Sequence, residues 1–156
     1  MDVRPVELDE NMGLPFISSL IREYYPNLAQ VHVSIEKIKK EYRVHIRLET
    51  TAHYRCDRCL DEFDTSFSAE IEQHYHVGSG PLLDEDTIRL SDDATEIDID
   101  PVIAEMMLLN HPMKMLCKND CKGLCPHCGA NLNHEACRCT EVPIDPRWEK
   151  LKGLIK

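Results

Sequence analysis

Cysteines are the residues of this chain whose spacing points most directly to chemistry. The chain has 156 residues and eight cysteines, six of which lie between residues 116 and 139. They form four short pairs, Cys56-x2-Cys59, Cys117-x3-Cys121, Cys125-x2-Cys128 and Cys137-x-Cys139. Structural zinc takes four ligands in a tetrahedron, and two cysteines separated by two residues on a tight turn supply two of its corners. The spacing therefore predicts metal binding.

The strongest local pattern is Cys125-Pro-His-Cys128-Gly129. Proline stiffens the turn, and glycine after the second cysteine permits a positive φ, so that the backbone amides fold toward the sulfurs. Cys137 and Cys139 follow after a short loop and are close enough to complete a site of four thiolates. We therefore predict a structural zinc site formed by these four cysteines.

The other four cysteines, Cys56, Cys59, Cys117 and Cys121, are enough for a second site. Such a site would join the tip of a predicted hairpin, which carries Cys56 and Cys59, to the chain that follows the segment containing Met106 and Met107. Spacing alone leaves other arrangements open: Cys117 and Cys121 pair with Cys125 and Cys128, or a single zinc binds and the remaining thiols stay free. The expectation is one or two structural zinc ions.

Two chemical alternatives to zinc are weaker. A C-x2-C pair also serves thiol redox chemistry, but Cys56 and Cys59 lie between two predicted strands, with no βαβ pattern around them. No histidine or acid is marked out as the partner of a cysteine nucleophile. Four thiolates leave no open metal position for water, which argues against hydrolytic catalysis.

The cysteine pairs and the charge distribution indicate the cellular compartment and the kind of partner. Residues 1–10 contain no apolar signal segment, and clustered C-x2-C pairs suit a reducing compartment, so we predict a cytoplasmic protein. The net charge is −10, but residues 1–110 carry 10 basic and 23 acidic side chains, whereas residues 111–156 carry 8 and 5. The cysteine-rich end is therefore the basic end, the one suited to an anionic partner.

Hydrophobic periodicity predicts the elements that position these cysteines. The spacing of apolar residues in 14–25 predicts a short helix that ends at Pro26. Apolar and polar residues alternate over 31–35, 44–48 and 63–77, which predicts three strands with one solvated face. Cys56 and Cys59 would then occupy the tip between the second and third strands.

The third strand and the segments after it carry further expectations. His74 and His76 fall on the polar parity of the strand, which predicts solvated histidines. Residues 84–100 hold eight acidic side chains and one arginine, which predicts a solvated loop with a short strand near residues 96–99. Asp100-Pro101 predicts a helix start, and the helix should close at His111-Pro112.

At the C-terminal end, Asp145-Pro146 predicts a last helix anchored by Trp148. The fold class expected is α+β: a small antiparallel sheet or partly closed barrel with packed helices and a zinc-braced C-terminal segment. Residues 1–110 would form an acidic body that includes the Cys56/Cys59 hairpin tip. Residues 111–156 would form a zinc-binding segment and a helix within the same domain.

The chain also resembles the YceD family, named for accumulation of large-subunit ribosomal RNA. The resemblance rests on Tyr54–Phe63, on the cysteine-rich segment 116–139 with its Asn131-Leu132-Asn133, and on Asp145-Pro146-Arg147-Trp148, and it extends from about Val31 to Leu154. It implies a cytoplasmic, non-enzymatic factor needed for synthesis or processing of large-subunit ribosomal RNA. The partner implied is precursor RNA or an assembly protein, not a membrane or a small-molecule substrate.

Charge suggests where RNA would be contacted. The candidate phosphate-binding residues all lie in the basic C-terminal region: Lys114, Lys118, Lys122, Arg138, Arg147, Lys150 and Lys152. A second candidate strip follows the hairpin: Arg43, Arg47, Arg55 and Arg58. A zinc-stabilised protein–protein adaptor that never binds RNA is the alternative function, and a thiol-redox protein is a distant third.

Overall fold

The structure, a computed structural model, describes residues 5–82, 85–139 and 147. Its elements in chain order are β1 (Val6–Met12), a single 3-10 turn (Arg22–Tyr24), β2 (Ala29–Ile38), β3 (Glu41–Arg55), β4 (Glu62–Val77), β5 (Ile88–Leu90) and α1 (Asp100–Asn110). The chain divides into two compact units. The first comprises Met1–Tyr54 and Phe63–Met113, and the second comprises Arg55–Glu62 and Lys114–Lys156. The hairpin tip thus groups with the cysteine-rich segment.

The five strands form one open sheet in the order β1-β2-β3-β4-β5. β1 and β2 are antiparallel, as are β2 and β3, whereas β5 runs parallel to β4. The expected antiparallel sheet or partly closed barrel is therefore a mixed, open sheet, in which no other strand of the described residues pairs with the outer side of β1 or β5. Within the described chain, α1 is the only α-helix, so the protein is strand-rich rather than a balanced α+β fold.

Alternation places the core where the sequence predicts it. Val31, Val33, Val44, Ile46 and Leu48 are buried, at 6% exposure or less. The register pairs Val31 with Leu48 and Val33 with Ile46, so these side chains stack on one face of the sheet. The prediction of three strands with one apolar face is confirmed.

His76 departs from that alternation. The histidine was predicted to be solvated, yet it is 6% exposed, and its Nδ1 contacts Glu41 Oε1. The chain beyond β4 folds over the ring: a Cβ added at Gly80 would lie 2.7 Å from His76 Nε2. The loop that follows β4 thus buries His76, although its position in the alternation of the strand predicts exposure to solvent. His74 is half-buried and contacts Glu72.

The helix predicted over residues 14–25 is wrong. The segment is a series of turns with one 3-10 turn, although Ile17, Ile21 and Tyr25 are buried at a helical spacing. The Arg22 guanidinium donates to the Ile17 carbonyl (2.8 Å), and Ser18 Oγ accepts from the Leu20 amide (3.3 Å). Side-chain hydrogen bonds of this kind compete with the helical backbone pattern, and a segment this short has little intrinsic helix stability to oppose them.

The strands and turns near the sheet edges were also predicted incompletely. β1 was not predicted, and the short strand expected near residues 96–99 lies instead at Ile88–Leu90.

Helix α1 is confirmed, with Val102, Ile103, Met106 and Met107 buried. Its cap is Ile99, one residue earlier than predicted, and the Asp98 carboxylate accepts from the Asp100 amide (3.0 Å).

The predicted C-terminal helix from Asp145-Pro146 and the Trp148 anchor lie outside the described residues. In the part of the chain that is described, no helix has both the length and the apolar character needed to cross a membrane.

Candidate metal centres

Two C-x2-C turns of the second unit share one backbone pattern. At the hairpin tip, the Cys56 amide donates to the Asp61 carbonyl (2.8 Å) and the Leu60 amide donates to the Cys56 carbonyl (2.9 Å). At Cys125, the same two bonds join the Cys125 amide to the Ala130 carbonyl (2.8 Å) and the Gly129 amide to the Cys125 carbonyl (2.9 Å). Each turn closes on itself, so both of its cysteines belong to one site.

The residue after the second cysteine of each turn has a left-handed backbone. Leu60 has φ 65° and Gly129 has φ 73°. Left-handed backbone costs a non-glycine residue about 1–2 kcal/mol, because Cβ approaches the following carbonyl oxygen. Gly129 avoids this strain, whereas Leu60 bears it at the hairpin tip.

We expect Gly129→Ala to weaken zinc binding at one site by about fivefold, which corresponds to about 1 kcal/mol of backbone strain. A Cβ added at Gly129 would meet no atom within 4 Å, so the effect isolates the φ requirement. Gly13→Ala is the matched control, since its added Cβ makes only ordinary contacts at 3.9 and 4.0 Å. Competition with a zinc chelator measures both variants, and equal affinities would contradict the prediction.

The first tetrad brings Cys56 and Cys59 together with Cys117 and Cys121, and all four sulfurs lie within 4.8 Å of one another. Cys56 Sγ lies 3.8 Å from Cys121 Sγ, and Cys59 Sγ lies 3.6 Å from Cys117 Sγ. Three of these side chains are buried and Cys117 is half-buried. Hydrogen bonds hold the two segments together: the Asp57 amide donates to the Met115 carbonyl (2.8 Å), and Arg58 donates to the Cys121 carbonyl (3.1 Å).

The second tetrad consists of Cys125, Cys128, Cys137 and Cys139. Cys137 Sγ lies 3.4 Å from Cys125 Sγ and 4.0 Å from Cys128 Sγ, and Cys139 Sγ lies 3.9 Å from Cys125 Sγ. Cys128 and Cys137 are exposed, so this tetrad is more open to solvent than the first. The structure groups the eight cysteines into two sets of four, and the alternative set of Cys117, Cys121, Cys125 and Cys128 is not formed.

Both tetrads are compatible with a tetrahedral ion. Sulfurs about 2.3 Å from a zinc ion at tetrahedral angles lie about 3.8 Å apart. Five of the separations, 3.4–4.0 Å, bracket that value, and every pair within a tetrad lies within 4.8 Å. A disulfide requires about 2.05 Å, far shorter than any of these distances. Thiolate-rich tetrahedral sites select zinc or iron–sulfur centres over harder cations.

The electrostatics of the tetrads also call for a cation. Burial opposes ionisation of Cys56, but the amides of Cys117, Cys59 and Arg58 together lower its pKa to about 6. The amides of Ala130 and Arg138 lower the pKa of Cys128 to about 6 as well. Contacts with Cys128 and Cys137 raise the pKa of Cys139 to about 12. Neighbouring thiolates repel one another, so a bound cation is what would allow all four sulfurs of a tetrad to ionise.

Side chains around the first tetrad orient its ligands. Asn133 Nδ2 donates to Cys121 Sγ (3.3 Å), while Asn133 Oδ1 accepts from the Lys122 amide (3.0 Å). Asp61 accepts from Asn131 Nδ2 (2.9 Å) and contacts His134 Nε2 (3.0 Å). The contact with His134 lowers the pKa of Asp61 most, and the hydrogen bond from Asn131 lowers it further. His134 lies inside the cysteine-rich segment, and its ring contacts this carboxylate.

We expect Asn133→Ala to weaken zinc binding at the first tetrad by about tenfold, since lost outer contacts typically cost ten- to hundredfold in metal affinity. The second tetrad should keep its affinity, because Asn133 contacts none of its sulfurs. Asn27→Ala is the control, as that exposed side chain makes only a long bond of 3.4 Å to a carbonyl. Chelator competition that shows unchanged affinity at both sites would contradict the assigned role.

Three of the predicted phosphate-contacting residues remain available. Lys114, Lys118 and Lys122 are exposed, and among the described residues none of them has a carboxylate partner. Arg138 pairs with Glu135 (2.7 Å), and Arg147 is exposed. Lys150 and Lys152 lie outside the described residues.

The arginine strip of the hairpin is already engaged. Arg43 contacts Glu36 (3.4 Å) and Glu72 (3.6 Å), and Arg47 contacts Glu49 (2.7 Å). Arg55 and Arg58 donate to backbone carbonyls. Because these side chains are held by other groups of the protein, the strip is a weaker candidate for phosphate binding than the lysines.

Comparison with known proteins identifies the family. The family described as "Large ribosomal RNA subunit accumulation protein YceD" matches residues 44–155, which contain all eight cysteines. The chain belongs to the YceD family. It is 38% identical over 160 residues to "Large ribosomal RNA subunit accumulation protein YCED homolog 1, chloroplastic" of Arabidopsis thaliana, a match that covers 83% of this chain and 50% of that protein.

Other proteins are similar over shorter stretches. An uncharacterised protein of Mycobacterium bovis is 41% identical over 103 residues, covering 64% of this chain and 49% of that protein. The Zea mays YCED homolog 1 is 42% identical over 62 residues, covering 39% of this chain and 21% of that protein. The chain spans about half the length of the first curated relatives it matches. No solved structure matches it.

Cysteine spacing did not reveal the polar residues that surround the first tetrad in this YceD chain. In the sequence, Asp61, Asn131 and Asn133 belong to the motifs that resemble the YceD family, but no role was predicted for them. The one local signal is position, because both asparagines lie between the last two cysteine pairs and Asp61 lies two residues beyond Cys59.

Proposed function

We propose that this YceD protein assists the accumulation of large-subunit ribosomal RNA by binding precursor RNA through its cysteine-rich unit, without catalysing a reaction. The observation that carries the proposal is the set of exposed lysines, Lys114, Lys118 and Lys122, which accompany the cysteine tetrads in the basic part of an acidic chain. Lysine side chains bind phosphate as point charges, and such contacts supply affinity without base specificity.

In this proposal each tetrad holds one zinc ion, and the role of zinc is structural. Cys56, Cys59, Cys117 and Cys121 hold the first ion, and the other four cysteines hold the second. Four sulfur ligands complete a tetrahedron, so water has no free position at which to be activated. The ions supply folding energy to a segment that has little regular secondary structure, as is usual for small zinc-stabilised units.

The family name supports a role in ribosomal RNA accumulation. Direct contact between the cysteine-rich unit and RNA is our proposal. A cytoplasmic location stays a prediction, and the name of the Arabidopsis relative places that protein in the chloroplast. A partner protein of the ribosome-assembly machinery is the second class of ligand, favoured by the acidic character of residues 1–110.

Binding of the zinc-loaded protein to a large-subunit ribosomal RNA fragment, measured at two salt concentrations, tests the proposal. The expected affinity falls as salt rises, because phosphate contacts release counterions. An adaptor that never binds RNA would show no more affinity than an acidic control protein. Metal analysis of protein purified without added zinc accompanies the assay, and fast thiol labelling with no bound metal would favour redox chemistry instead.

A further inference from the structure

β1 is an open edge of the sheet. It pairs with β2 through seven consecutive positions, from Val6 opposite Ile35 to Met12 opposite Ala29, and no strand of the described chain lies on its other side. Six of its seven residues are exposed. An uncovered edge presents backbone amides and carbonyls that are free to pair with another extended chain.

Apolar side chains accompany this edge. Val6 is 57% exposed and Leu8 is 55% exposed, although both lie in a strand. Leu8 lines a groove of 310 Å³. The rest of its lining comes from the four other strands and from the loop before α1. Exposed apolar surface beside an open strand edge is typical of a site that binds an extended segment, with the groove receiving alternate side chains.

The charges at this edge restrict the occupant. β1 carries Glu7, Asp9 and Glu10 and has no basic residue. Asp9 contacts His32 (2.7 Å), whereas Glu7 and Glu10 have no ion-pair partner among the described residues. Glu96 adds a further carboxylate to the groove lining.

Two classes of occupant are disfavoured by these carboxylates. A second copy of β1 would bring its own acidic side chains against them, and like charges across paired strands are destabilising. RNA would bring phosphates, which the same carboxylates repel. An extended protein segment that alternates apolar and basic side chains satisfies both the groove and the charge.

We propose that β1 is a docking edge for an extended, basic, amphipathic segment of a partner protein. The segment adds to the sheet beside β1, its backbone pairs with the free edge, one apolar side chain enters the groove next to Leu8, and its lysines or arginines lie near Glu7 and Asp9, which alternate with Leu8 and so share the other face of the strand. This surface lies entirely in the first unit, so the inference stands independently of RNA binding by the lysines of the second unit.

Fluorescence anisotropy of a labelled seven-residue probe, Lys-Val-Lys-Leu-Lys-Val-Lys, with the full chain tests this proposal. The expected result is binding that weakens with salt, at least about tenfold weaker binding by Leu8→Lys, and at least about tenfold weaker binding of the matched probe in which every lysine is glutamate. Leu109→Lys is the control variant, because Leu109 is 72% exposed on α1 and is absent from the groove lining. Its affinity should equal that of the unaltered chain.

Hydrogen exchange distinguishes docking at the edge from loss of the fold. Addition of the basic probe should slow exchange within residues 6–12 of the unaltered chain and of Leu109→Lys, and should not do so in Leu8→Lys. Failure of the basic probe to bind overturns the proposal, as does equal binding of the two probes. Slower exchange of residues 6–12 on addition of a single-stranded RNA oligonucleotide alone would assign the edge to RNA, and dimeric sedimentation that Leu8→Lys abolishes would assign it to a second copy; either result overturns the proposal.

Discussion

Cys121→Ser is expected to reduce bound zinc from two ions to one per chain. The serine replaces one of the four cysteines that hold the proposed first ion, and Cys121 is also the cysteine whose sulfur accepts from Asn133. Loss of a direct ligand should exceed the ten- to hundredfold weakening that is typical of outer contacts, so we expect an affinity loss of more than about a hundredfold at that site. Inductively coupled plasma mass spectrometry measures the zinc content, and chelator competition measures the affinity.

Double variants test how the eight cysteines are grouped. Cys56→Ser combined with Cys121→Ser should lose no more zinc than Cys121→Ser alone, because both residues belong to one tetrad. Cys121→Ser combined with Cys137→Ser should lose both ions. Residues that act in one network are non-additive, whereas residues in separate sites add. A chain that retains one ion after the cross-tetrad change, or loses both after the change within one tetrad, would contradict the grouping.

Reversal of three lysine charges should have the second largest effect. The triple variant Lys114→Glu, Lys118→Glu and Lys122→Glu is expected to bind a large-subunit ribosomal RNA fragment about ten- to hundredfold more weakly near physiological salt. The slope of log affinity against log salt should fall by about 2, since three phosphate contacts on a single strand each contribute about 0.7. Filter binding over a range of potassium chloride concentrations measures both quantities.

A matched triple variant separates local contact from net charge. Lys37→Glu, Lys39→Glu and Lys40→Glu change the net charge by the same amount, and these exposed lysines lie at the end of β2 and in the following turn, in the first unit. Their RNA affinity and salt slope should stay close to those of the unaltered chain. Equal weakening by the two triple variants would show that overall charge, not contact at the cysteine-rich unit, governs binding. Zinc content measured for each variant confirms that the tetrads are intact.

Local patterns predicted the parts of the fold in which one face is uniformly apolar. Strands β2, β3 and β4 followed from alternation, because Val44, Ile46 and Leu48 must share a face in any extended backbone. Helix α1 followed from its proline start and apolar run. Residues 14–25 were mispredicted for a related reason: their apolar spacing determined which side chains are buried, but side-chain hydrogen bonds at Arg22 and Ser18 determined the backbone.

The sheet edges escaped prediction because they depend on partners distant in sequence. The charged sequence of β1 does not by itself predict a strand, and it forms one because residues 6–12 pair with β2. β5 is three residues long and runs parallel to β4, a pairing that short-range pattern does not specify. His76 is buried because a loop closes over it, which strand parity does not report.

By itself, the sequence determined that eight cysteines in short pairs would be available as metal ligands, since tight turns bring nearby sulfurs together whatever surrounds them. Spacing favoured the two sets of four that the structure shows but left other sets open, and the tertiary structure decided between them. Cys56 and Cys117 are 61 positions apart in the chain, and they meet because backbone hydrogen bonds join the hairpin tip to the segment around Met115 and Leu124. The same is true of Asn133 and Asp61, whose roles depend on which groups the folded chain places within hydrogen-bond reach.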